Sequence, residues 1–120
     1  LGFQVVREMD EHGEFIDAIL GIKDARLRTV KLQGAGTAQL ELLEFREPAA
    51  QPADGRPLNR VGPTHVALQV DAIDALHARL AAEGTPFTTA PRLSPDGRAR
   101  VTFCRDPDGT WLELVELVAA

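Results

Sequence analysis

Arg105-Asp106-Pro107-Asp108-Gly109-Thr110-Trp111-Leu112-Glu113-Leu114 is the stretch on which the fold turns. Its Asp-Pro-Asp-Gly core places Pro and Gly where a tight reversal wants them. Extended segments at 98–105 and 110–118 flank this turn, so the two predict a hairpin. Working outward, Thr64-His65-Val66-Ala67-Leu68-Gln69-Val70 alternates with period two and reads as a strand over 64–70. Asp71 is placed to cap a helix running to about residue 83, with Gly84 as its stop signal. Ile73, Leu76 and Leu80 form the apolar stripe of that helix. A short strand is expected over 87–90. The second half of the chain therefore reads βαβββ.

The first half echoes it. Residues 3–8 predict a strand, and Glu14–Leu20 a short helix with Phe15, Ile16, Ile19 and Leu20 at helical spacing, ended by Gly21. Strands at 25–32 and 39–46, joined by Gly34-Ala35-Gly36, make a second hairpin. Leu40-Glu41-Leu42-Leu43-Glu44-Phe45 matches Leu112-Glu113-Leu114-Val115-Glu116-Leu117. Both follow a Gly-Thr pair, Gly36-Thr37 and Gly109-Thr110. Both are preceded by a strand that opens on Ala-Arg, Ala25-Arg26 and Ala99-Arg100. A duplicated unit explains this most simply, with 1–46 as a partial first copy and 63–120 as a complete second one. Between them 47–62 holds Pro48, Pro52, Gly55, Pro57 and Gly62 and little that is apolar, and reads as a connecting loop.

Composition narrows the function classes. The chain has 120 residues, 44% hydrophobic and 26% charged, which suits one folded domain rather than disorder. A net charge of −5 without a Lys/Arg cluster argues against nucleic acid and against anionic membrane surfaces. No apolar run approaches the roughly 20 residues of a bilayer span. The single cysteine, Cys104, excludes an internal disulfide, fits a cytoplasmic setting and reads as a packing residue in a strand.

Period two sorts the polar residues. In 64–70, Val66, Leu68 and Val70 share one face, which should pack on the helix; His65, Ala67 and Gln69 share the other. Glu41 and Glu113 each sit mid-strand among apolar neighbours. A buried unpaired carboxylate is expensive, so matching carboxylates suggest a cation between them. A metal ion and an Arg are both candidates, as are ion pairs with Arg28 or Arg100, or exposure on an open face. Glu44 and Glu116 read as solvated strand-end residues, His12 as exposed in a turn, and His77 as flanking the helix stripe.

The His65-Val66-Ala67-Leu68 strand, the following helix and the Asp106-Pro107-Asp108-Gly109…Leu112-Glu113-Leu114 motif together resemble the second module of the vicinal oxygen chelate superfamily, which spans glyoxalases, bleomycin resistance proteins and extradiol dioxygenases. Leu1-Gly2-Phe3-Gln4-Val5-Val6 resembles the end of the first helix and the second strand of a first module, and Leu40-Glu41-Leu42 its last strand. The resemblance covers nearly the whole chain. It implies an α+β fold in which paired βαβββ modules form a curved mixed sheet around a cavity, the first module lacking its opening strand and helix.

It also implies chemistry. His65, Glu41 and Glu113 match three of the family's four metal positions; the fourth has no counterpart in this sequence, and is expected on a strand preceding Leu1, from a second subunit, or lost in a variant with a degraded site. One imidazole and two carboxylates suit Zn, Ni, Co, Mn or Fe(II). The implied function is a metal-dependent lyase or isomerase, epimerases included, acting on a small oxygenated substrate through an enediolate or enolate. Glu41 and Glu113 are the implied catalytic carboxylates, and Arg28, Gln69 and Arg100 the candidate substrate-binding groups. An extradiol-type dioxygenase and a non-catalytic, bleomycin-resistance-like binder are the alternatives. A homodimer is implied as well.

Overall fold

Alternation and turn residues resolve into β1 (Gln4–His12), α1 (Glu14–Leu20), β2 (Arg26–Gln33), β3 (Gln39–Glu47), β4 (His65–Gln69), α2 (Ile73–Ala82), β5 (Arg92–Leu93), β6 (Ala99–Arg105) and β7 (Trp111–Leu117). The computed structural model describes residues 1–51 and 56–119; Pro52 and Gly55, counted above among the loop residues, lie outside them. The chain divides into two compact units, Leu1–Pro52 and Ala53–Ala120. No helix among the described residues is long and apolar enough to cross a membrane.

The first unit is an antiparallel sheet in the order β1-β2-β3. β1 runs four residues past the expected end at Glu8, because its polar tail finds partners: Asp10 lies opposite Arg28 and Glu11 opposite Leu27, and Arg28 donates to the Glu8 carboxylate at 2.8 Å. Charged residues on an outer face do not stop a strand whose neighbour answers them. Helix α1 ends as its sequence predicts, with Gly21 left-handed at φ 67. The Asp17 carboxylate then accepts the backbone N–H groups of Asp24 and Ala25 at 2.8 and 2.9 Å, which aims the chain into β2. Phe15 and Ile19 of the expected apolar stripe point outward and stay exposed. A Cβ at Gly34 would meet the Phe3 ring at 2.7 Å, so a larger residue there would force that ring to move.

The second unit is a mixed sheet in the order β4-β7-β6-β5, with β4 parallel to β7 and the other pairs antiparallel. Its βαβββ order and α+β class are those expected. The core joins Ile73, Cys104 and Leu114, with Leu68, Val70, Leu76, Leu80, Phe87 and Leu112 packed around them. Of the face assigned to the helix, only Val66 remains 40% exposed, at the start of its strand.

Two expectations need correction here. Asp71 does not cap α2. The cap position is Ala72, left-handed at φ 50, and it makes no side-chain cap bond of its own. Glu116 reaches over from β7 instead and accepts the N–H groups of Ala72 and Ile73 at 2.9 and 3.3 Å. Glu116 is thus a helix-capping residue rather than a solvated one. The strand expected over 87–90 is reduced to a single bridge between Phe87 and Cys104, with β5 proper at Arg92–Leu93. The buried Thr102 hydroxyl takes the Thr89 carbonyl at 2.6 Å, and Pro91 has no N–H with which to continue a ladder.

The internal repeat persists in register. Arg28 faces Glu44 as Arg100 faces Glu116, and Lys31 faces Glu41 as Phe103 faces Glu113.

Candidate functional site

In the second unit, Leu68, Leu112 and Leu114 turn toward α2. By alternation, His65, Ala67 and Gln69 of β4 and Trp111, Glu113 and Val115 of β7 occupy the opposite face, paired in that order. His65 Nε2 lies 3.2 Å from a Glu113 carboxylate oxygen, and the two side chains are 34% and 25% exposed. His65 Nδ1 is 2.8 Å from the Thr64 hydroxyl. The Phe103 ring stands edge-on to the imidazole at 5.3 Å. An imidazole held at Nδ1 by a hydroxyl is fixed in orientation and presents Nε2 together with a carboxylate. That pair can relay a proton, or it can supply two ligands to a borderline divalent ion.

Other expected site residues are placed differently. Glu113 is not an unpaired buried carboxylate, since His65 answers it. Glu41 is exposed on β3 with Lys31 directly opposite and makes no ion pair among the described residues. Arg28 is engaged by Glu8, which with the nearby Glu44 and Asp10 raises its pKa. Arg100 grips both carboxylate oxygens of Asp74 at the start of α2, so it lies on the helix side of the sheet, away from His65. Gln69 shares the His65 face and is exposed. Cys104 is buried in the core as read. His77 packs edge-on to Phe87 at 4.5 Å. His12 borders an open cavity of about 520 Å³ in the first unit with Glu14, Asp17, Asp24, Arg26 and Glu47. Two of those carboxylates are already committed, Asp17 to backbone N–H groups and Glu47 to Arg26 at 3.6 Å. Within neither unit do three His, Cys, Asp or Glu side chains of the described residues converge as metal ligands.

Sequence reasoning passed over three residues on this face. Phe103 and Arg105 of β6 and Trp111 of β7 alternate in phase with Glu113. Arg105 lies 4.1 Å over the Trp111 ring, Trp111 meets Phe103 edge-on at 6.4 Å, and Trp111 Nε1–H donates to the Arg56 carbonyl at 2.8 Å. Extending the period-two reading of β7 across the hairpin would have found them.

The profile of the Glyoxalase/Bleomycin resistance protein/Dioxygenase superfamily matches residues 1–114. The chain belongs to this superfamily. It is 40% identical to the uncharacterized protein YaeR of Escherichia coli K12 over 81 residues, 68% of this chain and 60% of that protein. It is also 40% identical to a lactoylglutathione lyase of Schizosaccharomyces pombe over 53 residues, 43% of this chain and 17% of the enzyme. The chain thus spans less than two thirds of the length of either curated relative. A glyoxalase family protein from Bacillus cereus shares the fold with a TM-score of 0.88 at 20% identity, over 98% of this chain and 80% of that one.

Proposed function

We propose that this glyoxalase-superfamily chain serves a metal-dependent lyase or isomerase reaction, with His65 and Glu113 as ligands to a divalent ion such as Zn, Ni, Co, Mn or Fe(II). The observation that carries the reading is the 3.2 Å approach of His65 Nε2 to Glu113, with Nδ1 held by Thr64. The donor chemistry fits: one imidazole nitrogen and one carboxylate oxygen on the same open face suit these ions. Glu41 is proposed as a further ligand and as the proton-transfer base on the ground of its repeat position alone. The partial match to a lactoylglutathione lyase supports lyase chemistry over the alternatives.

A bound ion would supply Lewis-acid polarisation of two neighbouring substrate oxygens. The protein's own part is orientation and proton movement. Thr64 fixes the His65 ring, and Gln69 offers an amide to a substrate oxygen. Arg28 and Arg100 are committed to carboxylates and are not assigned to substrate. An extradiol-type dioxygenase, which uses two imidazoles and one carboxylate, fits this face less well, since it offers one imidazole.

Turnover tests the proposal. Protein loaded with each metal in turn is assayed in D2O with 2-oxoaldehyde hemithioacetals and epimerisable acyl thioesters. The expected result is metal-dependent incorporation of deuterium at the carbon that loses its proton, abolished in Glu113→Ala and cut about a hundredfold or more in Glu41→Gln. Full turnover in Glu41→Gln removes that residue from the base role. A second reading, a non-catalytic small-molecule binder, draws on the lack of a third converging ligand among the described residues of either unit and on the aromatic wall beside His65. Saturable ligand binding without turnover under any metal would establish it.

A further inference from the structure

We infer that Arg105 is the anion-binding group of this site, and that the site takes a small carboxylate whose flat or apolar body lies against Phe103 and Trp111. The inference deepens the proposed function: it rests on the His65 face being a small-molecule site, though not on the metal.

Register places the guanidinium. His65 pairs with Trp111 and Trp111 pairs with Arg105, so the three stand in one row across adjacent strands. Two strand spacings put the Arg105 and His65 backbones about 10 Å apart, the span of a small organic acid with its reacting oxygens at one end. Arg105 is half-buried, and its guanidinium carbon lies 4.1 Å from the centre of the indole ring. Stacking occupies the face of a guanidinium and leaves its in-plane N–H donors open, the fork that a carboxylate fits with two parallel bonds.

No side chain of the described residues fills that fork. Among the described residues Arg105 has no carboxylate partner, whereas Arg26, Arg28, Arg46 and Arg100 are all paired. Two acids of the same hairpin are engaged elsewhere. Asp106 accepts the backbone N–H groups of Asp108 and Thr110 at 2.9 and 2.8 Å, closing the turn, and Glu113 is turned to His65. The platform is also held in place, because Trp111 is pinned through Nε1–H to the Arg56 carbonyl and braced edge-on by Phe103. A fixed cation without a counter-charge among the described residues, beside two aromatic rings and a His–Glu pair, has the chemistry of a carboxylate seat.

The chain has one Trp and no Tyr, so its emission on excitation at the red edge reports Trp111 alone. The full chain, freed of metal on a chelating resin, is titrated with benzoate, acetate and benzyl alcohol at constant ionic strength. Benzoate is expected to change the emission saturably and to bind at least about tenfold tighter than either acetate or benzyl alcohol. Arg105→Gln is expected to bring benzoate down to the level of benzyl alcohol with the circular dichroism unchanged, and Arg105→Lys to recover part of the preference. Equal binding of the three probes, no saturable response, or a benzoate preference that survives Arg105→Gln overturns the inference. Metal titration of the unsubstituted protein separates it from the metal proposal: a benzoate preference with no metal binding defeats the metal reading alone, and metal binding without that preference defeats this inference alone; Glu113→Ala, which should lose the metal, is expected to keep the benzoate preference.

Discussion

Cys104 is 2% exposed between Ile73 and Leu114, and burial, aided by Asp106, pushes its thiol above the usual value of about 8.5. The unfolded thiol ionises near that usual value while the folded one keeps its proton to higher pH. Stability from this group is therefore whole below the usual value and is lost as pH rises through it toward the folded value. Native protein at pH 8 is expected to react with iodoacetamide about a hundredfold more slowly than protein in denaturant, and thermal stability to decline as the pH is taken above about 8.5. Rapid labelling of the native state would contradict the buried placement. At this scale much was legible. Alternation put His65 and Gln69 on one face of their strand, Cys104 was read as a packing residue, and only the family resemblance joined His65 to Glu113. Period two cannot report a cross-strand choice of partner, so it missed that His65 answers Glu113 and that Asp74 takes Arg100 to the other side of the sheet.

Helix α2 shows what an element's own sequence leaves out. Ile73, Leu76 and Leu80 marked its buried stripe, and Gly84 its end, because both are local signals. Its start was misread, because the group that satisfies its first N–H donors comes from Glu116, more than forty residues away on β7. The repeat supplies its own control. Glu116→Ala is expected to destabilise the fold by about 1 kcal/mol, as loss of a helix cap does. Glu44→Ala, at the matching position on β3, carries no such contact and should change stability by less than about 0.5 kcal/mol. Chemical denaturation of both variants checks this, and equal effects would remove the capping role. The 87–90 segment failed for a related reason: the side-chain hydroxyl of Thr102 competes for a carbonyl that a ladder would have used.

For the whole molecule, two hairpins share a matching register, one α2-backed βαβββ unit follows, and the family match spans residues 1–114. The repeat was readable because strands that echo each other in sequence share a pairing register. The metal assignment was less so, since ligation depends on which side chains converge, and the described residues bring together His65 and Glu113 but no third donor within that unit. The most direct measurement is metal content per chain after titration with Ni, Zn, Co, Mn and Fe(II), on the protein and on its His65→Ala and Glu113→Ala variants. The account predicts near-stoichiometric binding of at least one of these ions, lost in both variants. No binding, or binding that both variants retain, would contradict it.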